Sequence, residues 1–375
     1  MTRLLQPFVL VVTALVGTAY AYLALRLAGV AWTRAALAVP FFLIWIVPVH
    51  YWSRERGRTE TWLDNAVHQA SYLSMAWVSF ALVFTLARDG LLFLTILLPS
   101  AKPHAVLAQA GTPVVLAGSL VALALGAATA LRGPRIERVE IRVPGLHPAL
   151  DGYRIVQISD LHVGRTIRRR YVEHTVERAR ALAPDLVALT GDMVDGPVER
   201  LAPHVAPLAE LARAARTFFI LGNHDCYSGA QAWINHFRTL GADVLLNSHA
   251  VVAKGGATLL VGGVVDPAFG KMPPDANAAA HPLCAADFRL LLAHNPRLAP
   301  LGARAGFDLQ LSGHTHAGQF FPWTLAVRLV HAPHVAGLSK EGAMWVYVSA
   351  GTGTWGPPVR FGTSPELTLL TLKRA

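Results

Sequence analysis

The stretch YRIVQISDLH, residues 153–162, joins a short apolar strand to two side chains that are common metal ligands. Residues 153–159 have the length and composition of a buried strand, and Asp160 and His162 follow directly after it. Four more apolar runs have the same character, at residues 185–190, 217–221, 288–293 and 307–312. The chain therefore contains at least five short buried strands in order.

Helical stretches lie between the early strands, at residues 170–182 and 204–215. Strands that alternate with helices predict a layered α/β domain. Residues 273–281 are expected to form a flexible surface loop. Three later segments are more β-like, at residues 243–265, 344–350 and 366–373. We assign residues 151–375 to this α/β domain and residues 132–150 to a linker and first strand.

Metal-capable side chains follow every one of the five strands. They are Asp160 and His162, then Asp192 and Asp195, then Asn223, His224 and Asp225, then His294, and finally His314 and His316. In an open α/β sheet the carboxyl ends of the strands form the ligand site, so residues far apart in sequence converge there. A single histidine after a strand is usually structural, but five successive clusters predict a metal site.

The chemistry of these side chains narrows the choice of metal. Carboxylates, imidazoles and one amide, without a thiolate, favour Mn, Fe, Zn or Co over a structural zinc site. Two divalent ions close together need a shared anionic ligand, which an aspartate between two histidine-rich halves can supply. A two-metal site activates water at neutral pH and stabilises both the attacking and the departing oxygen. Phosphorus chemistry fits such a site.

The first third of the chain has a different composition. Hydrophobic residues make up 53% of the 375 residues and charged residues only 15%. Four uncharged stretches are long enough to cross a bilayer as helices, at residues 4–25, 35–52, 65–87 and 114–131. The apolar run 90–101 prolongs the third stretch after Arg88 and Asp89. Residues 1–131 are therefore predicted to form a membrane domain of about four transmembrane helices, although Ala19-Tyr20-Ala21 also resembles a signal-peptide cleavage site.

The distribution of basic residues predicts the orientation of these helices. With four spans, both ends of the membrane domain lie on the side of Arg54, Arg56 and Arg58, together with Arg3, Arg132, Arg135 and Arg138. Fewer basic residues, Arg26, Arg34 and Lys102, lie on the other side. The positive-inside rule therefore places the α/β domain in the cytoplasm. If residues 90–101 formed an extra span, that domain would lie outside.

The overall charge gives no sign of nucleic-acid binding. Lys and Arg number 33 against 23 Asp and Glu, but the only dense basic cluster is Arg165, Arg168, Arg169 and Arg170. Such a cluster is more typical of a solvated helix start, so we expect no nucleic-acid partner. The two cysteines, Cys226 and Cys284, form no CxxC pair and suggest neither a disulfide framework nor a zinc ribbon.

The five clusters resemble the conserved pattern of the calcineurin-like metallophosphoesterases. The matching segments are Asp160-Leu161-His162, Gly191-Asp192-Met193-Val194-Asp195, Gly222-Asn223-His224-Asp225, Ala293-His294 and Gly313-His314-Thr315-His316. The resemblance runs from about Tyr153 to the C-terminus, with all five segments in order. It implies a four-layer α/β/β/α sandwich, preceded here by an all-α transmembrane bundle.

The resemblance also implies roles for these residues. One metal ion would be held by Asp160, His162 and His316, and the other by Asn223, His294 and His314. Asp192 would bridge the two ions. His224 would protonate the leaving oxygen as a general acid. Asp195 or Asp225 would orient its imidazole, and we favour Asp195.

One departure from the family pattern concerns the bond that is cleaved. Many phosphomonoesterases of the family continue the second segment with Asp-Arg-Gly, whereas Asp195 is followed here by Gly196 and Pro197. The missing arginine disfavours a Ser/Thr protein phosphatase. Residues 293–296 and 313–319 are more similar to a bacterial branch with membrane segments before the domain. That branch implies phosphodiester or lipid pyrophosphate substrates, including UDP-2,3-diacylglucosamine in lipid A synthesis.

Few residues of the sequence indicate the substrate. Arg165 and Arg360 are candidate phosphate contacts, and residues 320–323, Phe-Phe-Pro-Trp, either admit acyl chains or pack beneath the sheet. We predict a membrane phosphodiesterase or pyrophosphatase acting on a lipid-linked substrate. Two rivals are a tethered phosphodiesterase for soluble nucleotides or nucleic acid, and a non-catalytic scaffold stiffened by metal. His224 counts against the scaffold, because the metals do not need it.

Overall fold

The computed structural model describes residues 7–29, 31–52, 61–280 and 285–375. It forms two compact units: Met1–Ala128 with Gly356–Phe361, and Thr129–Trp355 with Gly362–Ala375. Several residues used in the predictions lie outside the described part of the chain. They are residues 4–6 of the first apolar stretch, Arg3, Arg54, Arg56, Arg58, His281 and Cys284.

The first unit is built from helices. They are α1 Pro7–Leu27, α2 Ala31–Trp52, α3 Trp62–Thr95 and α4 Lys102–Leu131. Thr61 begins α3 with a capping box, because its hydroxyl accepts the Asp64 N–H while the Asp64 carboxylate accepts the Thr61 N–H. Among the described residues, α3 and α4 are long and apolar enough to cross a membrane. Membrane crossing by α1 and α2 stays a prediction.

Helix α3 continues through the charged pair Arg88 and Asp89, as predicted from the apolar run that follows them. The Asp89 carboxylate accepts a hydrogen bond from Arg26 Nε at 2.5 Å. Arg88 donates to Asp89 at 2.7 Å and to the Thr112 hydroxyl at 3.0 Å. Because the two charges have partners on neighbouring helices, they do not break the helix. Residues 90–95 therefore extend α3, and only the remainder of the predicted run 90–101 connects it to α4.

The described residues of the second unit form twelve strands and eight further α-helices. The strands are β1 Arg135–Val143, β2 Arg154–Ile158, β3 Leu186–Leu189, β4 Arg216–Phe219, β5 Asp243–Val244, β6 Ser248–Lys254, β7 Ala257–Gly263, β8 Phe288–Leu292, β9 Leu309–Ser312, β10 Gly337–Glu341, β11 Met344–Val348 and β12 Glu366–Arg374. The helices are α5 Arg169–Ala181, α6 Val198–Val205, α7 Ala209–Ala214, α8 Asn223–Tyr227, α9 Ala230–Thr239, α10 Ala276–Ala280, α11 Ala299–Arg304 and α12 Trp323–His331.

The strands form two six-stranded sheets, in the orders β1-β12-β2-β3-β4-β5 and β10-β11-β9-β8-β7-β6. Ile155 and Leu186 of the first sheet share a buried core with Leu259 and Leu290 of the second. On the outer face of the first sheet, a second core includes residues of α5, α6 and α9. A third core covers the second sheet with α10 and α11. The predicted four-layer α/β/β/α sandwich is confirmed.

Two local predictions differ from the structure. The single helix expected at residues 204–215 is interrupted between α6 and α7, because Pro207 has no N–H to donate to the Pro203 carbonyl. Arg169 donates to that carbonyl instead, at 3.1 Å. The loop expected at residues 273–280 contains α10, an alanine-rich turn whose Ala278 N–H is accepted by the side chain of Asp275.

The site lies where strand ends from both sheets meet. Strands β2, β3 and β4 are parallel neighbours in one sheet, and β7, β8 and β9 are parallel neighbours in the other. The buried amide of Gln157 at the end of β2 donates to the Thr190 hydroxyl and to the Ser312 carbonyl, both at 2.9 Å. This side chain therefore ties the ends of β3 and β9 together and brings their loops to one edge.

Candidate metal centre

The loops that follow these strands carry unusual backbone conformations. Five of the predicted metal ligands have φ in the left-handed region, namely Asp160 (53°), His162 (51°), Asp192 (54°), His314 (71°) and His316 (50°). Residues other than glycine adopt this region at a cost of about 1–3 kcal/mol each, and they cluster at functional sites. The surrounding sandwich therefore holds these side chains in conformations that they would rarely adopt alone.

Two glycines allow the ligand loops to approach each other. A Cβ on Gly222 would overlap the carboxylate of Asp192, and a Cβ on Gly313 would overlap that of Asp160. Both glycines immediately precede predicted metal-binding segments, Asn223-His224-Asp225 and His314-Thr315-His316. The absence of a side chain at these positions is therefore a steric requirement of the site.

The three side chains of the first predicted ligand set, Asp160, His162 and His316, lie close together in the structure. His316 Nε2 lies 3.4 Å from Asp160 Oδ1 and 3.0 Å from His162 Nε2. One donor atom from each of these residues fits within a group no wider than 4.8 Å, the spacing of side chains around one ion. All three side chains are buried. Backbone contacts stiffen the group further, because the His314 N–H donates to Asp160 Oδ1 at 2.9 Å.

The second predicted ligand set lies beside the first, and Asp192 lies between them. Asp192, His294 and His314 also present donor atoms within 4.8 Å of one another, and His314 Nδ1 contacts Asn223 Oδ1 at 2.9 Å. Asp192 Oδ2 lies 3.2 Å from His294 Nε2 and 3.8 Å from His162 Nε2 of the first set. A carboxylate in this position can be shared by two ions.

The tautomer of His294 fits a metal ligand. Its Nδ1 lies 2.8 Å from the carbonyl of Thr190, which can only accept, so Nδ1 carries the hydrogen. Its buried Nε2 then directs a lone pair toward the Asp192 carboxylate, an arrangement that needs a cation or a proton between them. In the metal-free protein, burial lowers the pKa of His294, but Asp192 outweighs burial and holds it well above its ordinary value.

We expect metal uptake at pH 7 to release about one or two protons, because imidazoles must be deprotonated to bind. Burial lowers the pKa of His162, but the carboxylates of Asp195, Asp192 and Asp160 together raise it to about 9. The metal-free site is therefore protonated below that pH, and apparent Mn²⁺ affinity should rise from pH 6 toward pH 9. Titration calorimetry in two buffers of different ionisation enthalpy measures the release. Binding heats that are independent of the buffer at pH 7 would contradict this expectation.

Asp195 and Asp225 have different surroundings. Asp195 Oδ1 lies 2.8 Å from His224 Nδ1 and 3.0 Å from His162 Nδ1. Burial raises the pKa of Asp195, but the two imidazoles hold it below its ordinary value, so the group is an anion that can orient both rings. Asp225 instead accepts backbone N–H groups that fix the ligand loops, those of Asp192, Met193, Val194 and Gly222.

Comparisons with known proteins agree with this geometry. Residues 153–318 match the family model described as calcineurin-like phosphoesterase. An uncharacterized metallophosphoesterase of Bacillus subtilis (strain 168) is 30% identical over 277 residues, which is 69% of this chain and 96% of that protein. The chain belongs to the calcineurin-like metallophosphoesterase family. The family uses divalent metals, and the described residues include groups that could hold them.

Two other relatives of this metallophosphoesterase are matched over only part of their own length. The transmembrane protein with metallophosphoesterase domain of Danio rerio is 35% identical over 266 residues, which is 67% of this chain and 60% of that protein. An uncharacterized metallophosphoesterase of Helicobacter pylori (strain J99) is 34% identical over 247 residues, 64% of this chain and 65% of that protein. The chain thus spans less than two thirds of these relatives. The first relative's name and the two apolar helices indicate membrane association.

A solved structure with a similar fold is the 5'-nucleotidase precursor from Thermus thermophilus. It is 18% identical, covers 58% of this chain and 54% of that chain, and has a TM-score of 0.38.

The two predicted phosphate contacts of this metallophosphoesterase lie in different parts of the structure. Arg165 is half-buried and follows Gly164. A Cβ added to Gly164 would lie 3.3 Å from Asp195 Cβ, so the backbone of this loop is close to Asp195. Arg360 belongs to the helical unit, where its side chain is 1% exposed and its N–H donates to the Gly126 carbonyl at 2.9 Å. Phosphate binding by either arginine stays a prediction.

Three side chains around this centre were not anticipated by any sequence pattern, namely Arg200, Asp266 and Tyr227. The side chain of Arg200 lies against Gly196, in the space that a larger residue after Asp195 would occupy. Asp266 is buried, which raises its pKa above the ordinary range. Tyr227 and Trp355 both contact the ring of His224. Only a structure brings these together, because no spacing rule links residues in separate loops.

Proposed function

We propose that this protein hydrolyses phosphodiester or pyrophosphate bonds with two divalent ions, and that its substrate is lipid-linked. The observation that carries the proposal is the position of Asp192 between two ligand sets. Ions bound there would activate water for attack on phosphorus and neutralise charge on the phosphoryl oxygens. Mn, Fe, Zn and Co all suit the donor atoms.

The side chains of the protein would control the proton and the geometry. His224 has a side chain 22% exposed, so its Nε2 can reach a substrate, while its Nδ1 faces Asp195. Protonated at Nε2, it would donate to the departing oxygen as a general acid. Asp195 would hold the ring in place through Nδ1. The N–H of His224 donates to Asp192 at 2.7 Å, which fixes the distance between proton donor and bridging carboxylate.

The choice of bond rests on the segment after Asp195. A phosphomonoesterase of the family usually places an arginine there, which would grip the additional charge of a terminal phosphate. Gly196 occupies this position instead. The Arg200 guanidinium lies against Gly196, so a cation is present nearby, but it comes from a different point of the loop. This arrangement favours phosphodiester or pyrophosphate groups, which carry less charge on the phosphorus under attack.

The exposed apolar helix α12 supports a lipid-linked substrate. The aromatic residues 320–323 have different surroundings. Phe320 is buried, whereas Trp323, at the start of the helix, is exposed. No residue of α12 is buried, and its side chains Leu325, Leu329 and Val330 are exposed, Leu329 to 90%. Arg328 adds a cation in the last turn. Apolar side chains beside a cation match acyl chains beneath an anionic headgroup.

Helix α12 is also connected to the metal centre. The ring of His331, in its last turn, lies 5.3 Å from the ring of the ligand His314. The hydroxyl of Thr315, next to two ligands, donates to the Val335 carbonyl at 2.6 Å, shortly after the helix. A lipid whose acyl chains contact α12 would therefore hold its headgroup close to the ligand loops.

We expect Leu329→Glu to lower kcat/KM for CDP-diacylglycerol, a pyrophosphate embedded in nanodiscs, by about tenfold, since burying a leucine contributes about 1.5–3 kcal/mol. Hydrolysis of the soluble diester bis(p-nitrophenyl) phosphate should change less than about twofold, because the helix does not hold the metals. Val251→Glu, at another exposed apolar position, is the control. Activity is measured with the full chain in manganese buffer.

Each other outcome counts against part of the proposal. No hydrolysis of either substrate would refute the phosphoesterase and favour the scaffold. Equal losses on both substrates would remove α12 from lipid binding. Fast hydrolysis of a soluble dinucleotide with none of CDP-diacylglycerol would favour the tethered nucleotide enzyme. The proposal keeps the predicted multi-pass placement with the α/β unit in the cytoplasm, which a reporter fused after Ala375 tests; reporter signal from outside the cell would overturn it.

A further inference from the structure

Two exposed aromatic side chains lie beside the imidazole of His224. The ring centroid of Tyr227 is 5.7 Å from that of His224, and the ring centroid of Trp355 is 5.6 Å from it. Their planes are inclined to the imidazole by 62° and 71°. Tyr227 is 71% exposed and Trp355 is 52% exposed, so most of both rings is accessible to a ligand. Single exposed aromatics are common, but two at one proton donor are not explained by packing.

Both rings are carried by segments that also hold the metal centre. Tyr227 ends α8, the short helix that begins at the ligand Asn223. The main chain of Trp355 is fixed by one buried side chain, because Gln319 Nε2 donates to its carbonyl at 2.9 Å and Gln319 Oε1 accepts its N–H at 2.8 Å. Gln319 closely follows the ligand His316. The backbone that carries the two rings is therefore fixed relative to the predicted ligands, while the faces of the rings remain open.

The position of the rings defines the part of a substrate that they would contact. His224 protonates the departing oxygen in the proposed hydrolysis, so groups beside it lie on the side of the leaving group. Exposed tyrosine and tryptophan faces bind planar bases by stacking, which tolerates any base because every base has a π face. Alkyl chains and phosphate have no such face.

We propose that Tyr227 and Trp355 form a stacking subsite for the base of a nucleoside that is part of the leaving group. The subsite rests on the proposed function, since the leaving-group side is defined by His224. It deepens that function by naming a substrate class: a nucleoside joined through phosphate to the rest of the molecule. Binding of the base alone needs no turnover, so the subsite can be tested without hydrolysis.

The test compares uridine 5'-monophosphate with ribose 5-phosphate, which share the sugar and phosphate and differ only in the base. Binding of each to the full manganese-loaded chain is measured by titration calorimetry in nanodiscs. We expect uridine 5'-monophosphate to bind about tenfold more tightly, the usual size of one base–aromatic contact. In the double variant Tyr227→Leu and Trp355→Leu this ratio should fall toward one, while affinity for ribose 5-phosphate stays constant.

The conservative variants Tyr227→Phe and Trp355→Phe are the matched controls, because they keep a ring at each position and should keep most of the preference. Manganese content of every variant shows whether the metal centre is intact. Equal binding of the two ligands to the unaltered protein would overturn the proposal, and so would an unchanged ratio in a double leucine variant that retains its metal. A clear base preference without any hydrolysis would refute the proposed function and leave the stacking contact standing.

Discussion

Replacing Asp192 with asparagine is expected to lower kcat for bis(p-nitrophenyl) phosphate in manganese buffer by about 10³-fold or more, since metal ions supply several kcal/mol to such reactions. The Asp192 carboxylate lies within 4 Å of a histidine nitrogen in both predicted ligand sets. An amide has the same shape but no charge, so it cannot neutralise two cations. Steady-state kinetics and the metal content of the purified variant measure the effect.

A matched control replaces an acid that is far from this chemistry. Asp243 is exposed and pairs with Arg216 at 2.9 Å, so Asp243→Asn should retain nearly full activity and metal. If the Asp192→Asn variant kept both full turnover and two metal ions per chain, Asp192 would not be a shared ligand. Loss of metal without loss of turnover would refute the role of the ions in hydrolysis.

Replacing His224 with alanine is expected to lower kcat by about 10²–10⁴-fold for a diester with an alkyl leaving group, the usual contribution of a general acid. For a p-nitrophenolate leaving group the loss should be much smaller, because that group departs without protonation. The physical basis is the position of His224, which Asp195 holds through Nδ1 at 2.8 Å while Nε2 is left to act on substrate. Rates for the two leaving groups are compared in one buffer.

His174→Ala is the control for this experiment, because His174 is an exposed histidine on the surface of α5. It should behave like the unaltered protein with both leaving groups. An equal loss for both leaving groups after His224→Ala would point to damage at the metal centre rather than loss of a proton donor. Unchanged rates for the alkyl diester would exclude His224 as the general acid.

The convergence of the predicted metal ligands could be expected from the sequence because it depends on one simple rule. Each predicted strand is present, and the carboxyl ends of parallel strands lie together in any sheet. The choice between Asp195 and Asp225 was not predictable in the same way. Both follow a ligand segment, and only the fold shows that one faces two imidazoles while the other accepts four backbone N–H groups. Side-chain direction depends on loop conformation, here with φ values that sequence rules treat as rare.

Longer-range features were outside the reach of sequence patterns. The sequence predicted that an apolar run prolongs the third stretch beyond Arg88 and Asp89, but it did not show the partners of these two charges on other helices. The subsite of Tyr227 and Trp355 joins residues from distant loops, so no periodicity connects them. The exposed helix α12 was visible only as an apolar run, because composition does not tell whether such a run faces the core or the solvent.

The short segment Gly356–Phe361 determines when the helical unit can complete its folding during synthesis. This segment belongs to the helical unit, where Val359 is fully buried and Phe361 lies against Phe80, yet the chain on both sides of it belongs to the α/β unit. A ribosome would release the first helices long before the piece that completes their packing. The helical unit can therefore finish folding only after residues 356–361 have been synthesised. The two units are not sequential modules, and no single cut of the polypeptide separates them intact.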